Sequence, residues 1–312
     1  MINWKGVFPA LTTKFTSDDK LDIKSFQSNI LTQMEAGVHG IILGGSLGEA
    51  STLTSREKAT LIKTTLEVLE GKIPVVLTIA EQSTEGAIEA VISANESGIE
   101  GFMVLPPMRY KADDAETVAF FKKIAQSTDL PIMIYNNPVD YKILVTLDMF
   151  EELEVFKNIQ AVKESTRDLS LVTKMINRFG DRFKILCGVD TLAYESLALG
   201  ADGWVAGLVC AFPFETVAIY NLMEQGRYKE ALKIYRWFFP LLELDIHPKL
   251  VQYIKLAEVA TGLGTEHVRA PRLPLVGSER QRILTIIQES LACRPTLPNW
   301  EKIPIQSKLL EK

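Results

Sequence analysis

The chain is poor in the residues that build redox and metal chemistry. Three cysteines among 312 residues, Cys187, Cys210 and Cys293, are an odd number at wide spacing, which argues against a disulfide framework and against a CxxC metal site. They are expected to fill apolar space. The three histidines, His39, His247 and His267, stand at no ligand spacing from one another or from a cysteine, which speaks against a histidine-based metal centre or catalytic triad. No block of Lys and Arg occurs and the net charge is −5, so the chain carries no electrostatic footprint for nucleic acid or a membrane surface. No apolar run reaches the roughly 18 residues of a membrane span, and the start MINWKGVFPA lacks the apolar centre of a signal peptide. Together these absences predict a cytoplasmic protein that acts on small molecules without a metal.

What is present is a large core, with 47% hydrophobic and 23% charged residues. Eight short apolar runs recur: GVFPAL (6–11), GIILGG (40–45), IPVVLTIA (73–80), GFMVLPP (101–107), PIMIYNNP (131–138), IQAVKEST (159–166), FKILCGV (183–189) and GWVAGLV (203–209). Between them lie segments such as SREKATLIKTTLEVLEG, with apolar residues at helical spacing, a polar opening and a glycine just past the end. Eight strand–helix units predict a (β/α)8 TIM barrel over residues 1–225. No Gly-x-Gly-x-x-Gly follows the first strand, which removes the main reason to expect a dinucleotide fold, and no other cofactor motif is found. After the eighth unit only helical patterns follow, and residues 226–312 are expected to form a C-terminal helical extension packed on the barrel. No Gly/Ser- or Pro-rich linker separates the two.

Barrel chemistry sits where the strands end, so the polar residues closing each apolar run are the informative ones. The second run ends in Gly45-Ser46-Leu47-Gly48-Glu49, a small-residue loop that could bring backbone N–H groups to a carboxylate or be an ordinary turn. The fifth ends in Tyr135-Asn136-Asn137-Pro138 and presents a phenol. The sixth ends in Lys163, followed by Glu164, Ser165 and Thr166. Two readings of Lys163 stand open: a lysine pairing with Glu164 or snorkelling from the strand end, or an amine made nucleophilic by burial. The seventh ends in Cys187-Gly188-Val189-Asp190, where Asp190 is expected to cap the next helix. A lysine at the mouth, a tyrosine one strand earlier and a glycine loop favour the second reading of Lys163. Desolvation lowers the lysine's proton affinity, and attack on a 2-oxo acid or cyclic imine then gives a protonated Schiff base. That cation acidifies the adjacent C–H.

The runs GGSLGEASTLTSREK, YNNP, AVKESTRD and CGVDTLAYESLALGADGWVAG resemble the dihydrodipicolinate synthase / N-acetylneuraminate lyase family of Schiff-base barrels, in order and over nearly the whole barrel. The resemblance implies that Lys163 forms the imine and that Tyr135 transfers protons. It implies that Ser46 and the Leu47 amide bind the 2-oxo acid carboxylate, that Gly188 and Val205 line the pyruvyl end of the pocket, and that Ser165 reaches the substrate's distal hydroxyl. It also implies a homotetramer built from dimers, and no cofactor.

Three departures from dihydrodipicolinate synthases stand out. Leu47 replaces a second threonine, Met108 stands where a tyrosine enters from the neighbouring subunit, and Asp140 replaces the arginine that grips a second carboxylate. Tyr110, two positions on from Met108, is a candidate substitute for the missing tyrosine. The elements GVFPA, GSLGE and LPPMRYKADDAET look more like the branch with Δ1-pyrroline-4-hydroxy-2-carboxylate deaminase, an enzyme of hydroxyproline breakdown. The expected function is therefore a Schiff-base lyase acting as that deaminase. The alternatives are a 2-keto-3-deoxy sugar acid dehydratase or aldolase, a dihydrodipicolinate synthase, and a non-catalytic barrel that binds a 2-oxo acid.

Overall fold

The computed structural model describes residues 2–107 and 110–299. Its eight strands are β1 (Gly6–Pro9), β2 (Ile41–Leu43), β3 (Val75–Ile79), β4 (Gly101–Val104), β5 (Ile132–Asn136), β6 (Ile159–Glu164), β7 (Lys184–Cys187) and β8 (Gly203–Ala206). All pair in parallel, in the order β1-β8-β7-β6-β5-β4-β3-β2, which makes a (β/α)8 TIM barrel with a C-terminal helical part. The strands are buried on both faces, as a parallel sheet covered by helices requires. Each is shorter than the apolar run that predicts it, because residues such as Gly44-Gly45, Pro106-Pro107 and Asn137-Pro138 leave the ladder and curl into the loops of the mouth.

The barrel closes between β1 and β2 through a single bridge, Ala10 to Ile42. His39 occupies the rest of that seam. Its Nδ1 accepts the Val7 N–H at 3.1 Å, and its own backbone N–H donates to the Val7 carbonyl at 2.8 Å. Gly6, at φ +106°, makes room, since a Cβ there would overlap the imidazole ring.

The helices are α1 (Ile23–Ala36), α2 (Ser55–Leu69), α3 (Thr84–Asn95), α4 (Asp114–Ala125), the single turn α5 (Pro138–Tyr141), α6 (Leu147–Leu153), α7 (Ser170–Phe179), α8 (Ala193–Ala198), α9 (Pro213–Glu224), α10 (Tyr228–Leu242), α11 (Leu250–Thr261) and α12 (Gly277–Ala292). Capping boxes start α2 at Thr54 with Glu57 and α4 at Asp113 with Glu116, each satisfying two otherwise unpaired N–H groups. Of the C-terminal helices, α10 packs on α9, and α12 packs on both α10 and α11. Two fully buried ion pairs tie α11 to the barrel loops. Lys14, after β1, meets Glu258 at 2.5 Å, and Lys255 meets Glu49, from the loop after β2, at 2.5 Å. Among the described residues no helix is long and apolar enough to cross a membrane.

Candidate active site

Strand parity builds the site. Side chains alternate across a strand, so Tyr135 and Asn137 face the barrel mouth while Asn136 between them faces out. Asn136 clamps the loop that follows β5: its Nδ2 donates to the Val145 carbonyl and its Oδ1 accepts the Val145 N–H, both at 3.0 Å. On β6 the same alternation turns Lys163 and Ser165 inward and Glu164 outward. Lys163 is registered beside Tyr135, and its Nζ stands 4.2 Å from the centre of the phenol ring. Glu164 accepts the Thr166 N–H at 2.6 Å as well as the Thr166 hydroxyl, so the pairing of Lys163 with Glu164 is not made. Burial pushes the Glu164 carboxyl up to about 7.

Lys163 is 7% exposed and has no ion-pair partner among the described residues. Burial lowers its proton affinity, opposed first by Asp245 and then by Tyr141 and Asp190. Its place depends on Gly188. A Cβ at that position would overlap Ser165 Oγ and stand 2.6 Å from Lys163 Cγ and 2.7 Å from its Cε. Burial raises the Tyr135 phenol above its ordinary value, opposed by Asn137 Nδ2, which donates to the phenol oxygen at 3.1 Å.

These groups line a cavity of about 90 Å3, room for about six to nine water positions or one small organic acid. Ser46, Leu47, Tyr135, Lys163, Ser165, Gly188 and Val205 all line it, so the sequence-predicted residues converge on one place. Ser165 Oγ is buried without a hydrogen-bond partner, an arrangement a polar ligand atom would satisfy. The N–H groups of Ser46 and Leu47 donate to no described residue and are available to a carboxylate. Val205 and Ala10 give the deep wall its apolar surface. Among the described residues no cluster of His, Cys, Asp and Glu could hold a metal ion.

One other expectation needs correction. Asp190 does not cap the helix after β7. It reaches across to the end of β8 and accepts from Trp204 Nε1 at 2.8 Å and from the Gly207 and Leu208 N–H groups at 3.1 and 2.8 Å. Tyr110 is 57% exposed and does not line the cavity of its own chain, and Met108 lies outside the described residues.

Three polar lining residues escaped the sequence reading. Tyr141, brought back by the single turn α5, places its hydroxyl 2.6 Å from Ser46 Oγ and its ring edge-on to Tyr135. Arg167 stands exposed at the mouth with φ +66°, a left-handed conformation uncommon for a side-chain-bearing residue. Asp245 arrives from the 3-10 turn between α10 and α11. The short α5 turn implied by Asn-Pro after β5 was the one signal available for Tyr141. Asp140, in the position where an arginine was expected, also lines the cavity, and its carboxylate accepts from Asn137 Nδ2 at 2.7 Å.

A (β/α)8 barrel with a buried, unpaired lysine beside a tyrosine at its mouth defines the class of Schiff-base-forming lyases. The chain belongs to the dihydrodipicolinate synthetase family, which its residues 3–290 match. It is 33% identical over 276 residues to the 4-hydroxy-tetrahydrodipicolinate synthase of Exiguobacterium sibiricum, covering 88% of this chain and 92% of that protein. It is 30% identical to the enzyme of the same name from Methanosarcina mazei, covering 90% and 96%. Among solved structures, a dihydrodipicolinate synthase from Bacillus anthracis superposes with a TM-score of 0.88 at 27% identity, over 92% of this chain and 99% of that one. A monomeric dihydrodipicolinate synthase variant gives 0.87 at 25% identity, over 92% and 96%.

Proposed function

We propose that Lys163 is the imine-forming amine of a lyase that takes one small 2-oxo acid or cyclic imine, and that the reaction is deamination of Δ1-pyrroline-4-hydroxy-2-carboxylate. The observation that carries the Schiff-base part is the Lys163 amine itself: buried, free of an ion pair, and at the wall of a cavity beside a phenol. The choice of a single small monocarboxylate rests on Asp140 and Leu47. One puts a carboxylate engaged with Asn137 where a second acid group would have to bind, and the other gives the loop after β2 no hydroxyl.

In this reading the Ser46 and Leu47 amides hold the substrate carboxylate and Lys163 attacks C2 of the ring, which opens as the ring nitrogen departs. Tyr135 assists removal of a C3 proton, and the C4 hydroxyl leaves as water. Hydrolysis releases ammonia and 2-oxoglutarate semialdehyde, with a net uptake of one water. Ser165 Oγ, which lacks a partner, receives the distal hydroxyl.

One observation favours a second reading. Arg167 is the one cation other than Lys163 that lines the cavity among the described residues, and an arginine at the mouth suits a second carboxylate. That would fit a 4-hydroxy-tetrahydrodipicolinate synthase, the name carried by the relatives. Ammonia release from a panel of hydroxylated pyrrolines and keto acids tests the first reading. Ammonia from the 4-hydroxypyrroline supports the deaminase, release of pyruvate an aldolase, and a deoxy keto acid without ammonia a sugar acid dehydratase. No borohydride-stable adduct on Lys163 with any candidate sinks all of the lyase readings. A homotetramer is proposed on the family resemblance, and its mass in light scattering tests it.

A further inference from the structure

The C-terminal extension supplies a carboxylate to the barrel mouth for which the mechanism above has no use. Asp245 lies in the 3-10 turn Glu243–Ile246, which packs against the turn Asp190–Leu192 after β7. Its Oδ1 occupies the space that a Cβ on Gly207 would fill. It lines the same cavity as Lys163. The charged and titratable groups that face it are Lys163 from β6, Tyr135 from β5, Asp140 from α5 and Asp190 from the turn after β7.

Asp190 and Asp245 stand in different situations. Three donors from the end of β8 engage Asp190, which makes it a fixed acceptor that holds the backbone there. Asp245 is half-buried at the cavity wall with far less to hold its charge. Burial and then the neighbouring Asp190 carboxylate raise its proton affinity well above the ordinary range, opposed by Lys163. Among the groups facing Lys163, Asp245 has the strongest influence. The Asp140 and Asp245 carboxylates and the Lys163 amine thus share one cavity, and the amine has to lose a proton before it can attack.

We propose that Asp245 exchanges one proton with Lys163 across the cavity they share, by way of a water, during imine formation, a step that rests on the reading of Lys163 as the imine-forming amine. Asp245 takes the ammonium proton, and the free amine forms a bond to C2 of the 2-oxo acid to give the carbinolamine. Asp245 then returns that proton to the hydroxyl, the C–O bond breaks, water leaves, and the nitrogen lone pair closes the iminium. The net change converts an ammonium and a carbonyl into an iminium and water, with Asp245 ionised again. With a cyclic imine the ring nitrogen takes the same proton and departs as an amine.

The test is the rate at which pyruvate, used as a probe, is trapped on Lys163 by cyanoborohydride between pH 6 and 8.5, read by intact mass. In the unaltered chain the rate is expected to vary little with pH. In Asp245→Asn it is expected to be at least about tenfold slower across the whole range, since no carboxylate now takes the proton or returns it to the carbinolamine hydroxyl. In Asp245→Ala, added formate is expected to restore the rate saturably, which a structural role for the carboxylate would not allow. An Asp245→Asn profile that matches the unaltered chain, or a slow Asp245→Ala that formate does not rescue, overturns the proposal. Absence of any adduct in the unaltered chain is a different result, and overturns the Schiff-base reading on which the proposal rests.

Discussion

Gly188 lacks a side chain because none fits beside the lysine. A methyl there would meet Ser165 Oγ and two carbons of the Lys163 stem at once, and neither is the free end of an exposed chain. Gly188→Ala is expected to destabilise the fold by about 1–3 kcal/mol and to abolish adduct formation, because the only relief is to push Lys163 off Tyr135. Trapping and thermal unfolding on the same sample check both halves. Lys163 itself is a different case. Its buried charge has no ion-pair partner among the described residues, so Lys163→Ala is expected to fold with stability within about 1 kcal/mol of the original while losing all turnover. A variant that fails to fold would restore a structural role to the lysine.

At the scale of elements, the seam between β1 and β2 carries a titratable joint. Burial lowers the proton affinity of His39, with Glu224 opposing, so the neutral imidazole is the form that accepts the Val7 N–H. A histidine whose folded pKa is depressed contributes stability that is fully present above its unfolded pKa, about 6.5, and is lost as pH falls toward the folded value. Thermal unfolding temperature is therefore expected to fall between pH 6.5 and pH 5. His39→Asn keeps an acceptor without the titration and should flatten that limb. Parallel curves for the two proteins would show that other groups set the acid limb. The same element logic explains the site: β5 and β6 are registered neighbours, so Tyr135 and Lys163 meet without any loop having to bring them together.

Over the whole molecule, the extension is joined to the barrel by charges that have no access to water. Lys14 donates to Glu258 at 2.5 Å and to the Thr12 hydroxyl, both ionic side chains are fully buried, and Glu258 Oε2 has no partner. Removing one partner leaves a buried charge, so Lys14→Met is expected to cost about 3–5 kcal/mol in denaturant unfolding. The double variant Lys14→Met with Glu258→Leu should recover most of that loss, because the desolvation penalty leaves with the pair. A double variant as unstable as the single one would show that packing at the joint, rather than the orphaned carboxylate, sets the cost. Glu49 belongs to this joint too. The glycine loop after β2 turns its glutamate away from the cavity to Lys255, while Ser46 and Leu47 line the cavity.

Much of the barrel was legible in the residue order because parallel strands buried on both faces must be apolar runs, and a run that stops at a polar residue marks the mouth. The same parity that defines a strand determined that Tyr135, Lys163 and Ser165 share the inner face, and the missing side chain of Gly188 marked where they needed room. Tertiary structure alone decided the rest. Asp190 reached across to β8 instead of capping a helix, Tyr141 came back to Ser46, Arg167 took a left-handed conformation at the rim, and Asp245 entered from the far end of the chain. Each depends on a partner or a position supplied by the closed barrel. Periodicity describes which face a residue takes on its own element, whereas proximity between distant elements exists only once the barrel has closed and the extension has docked.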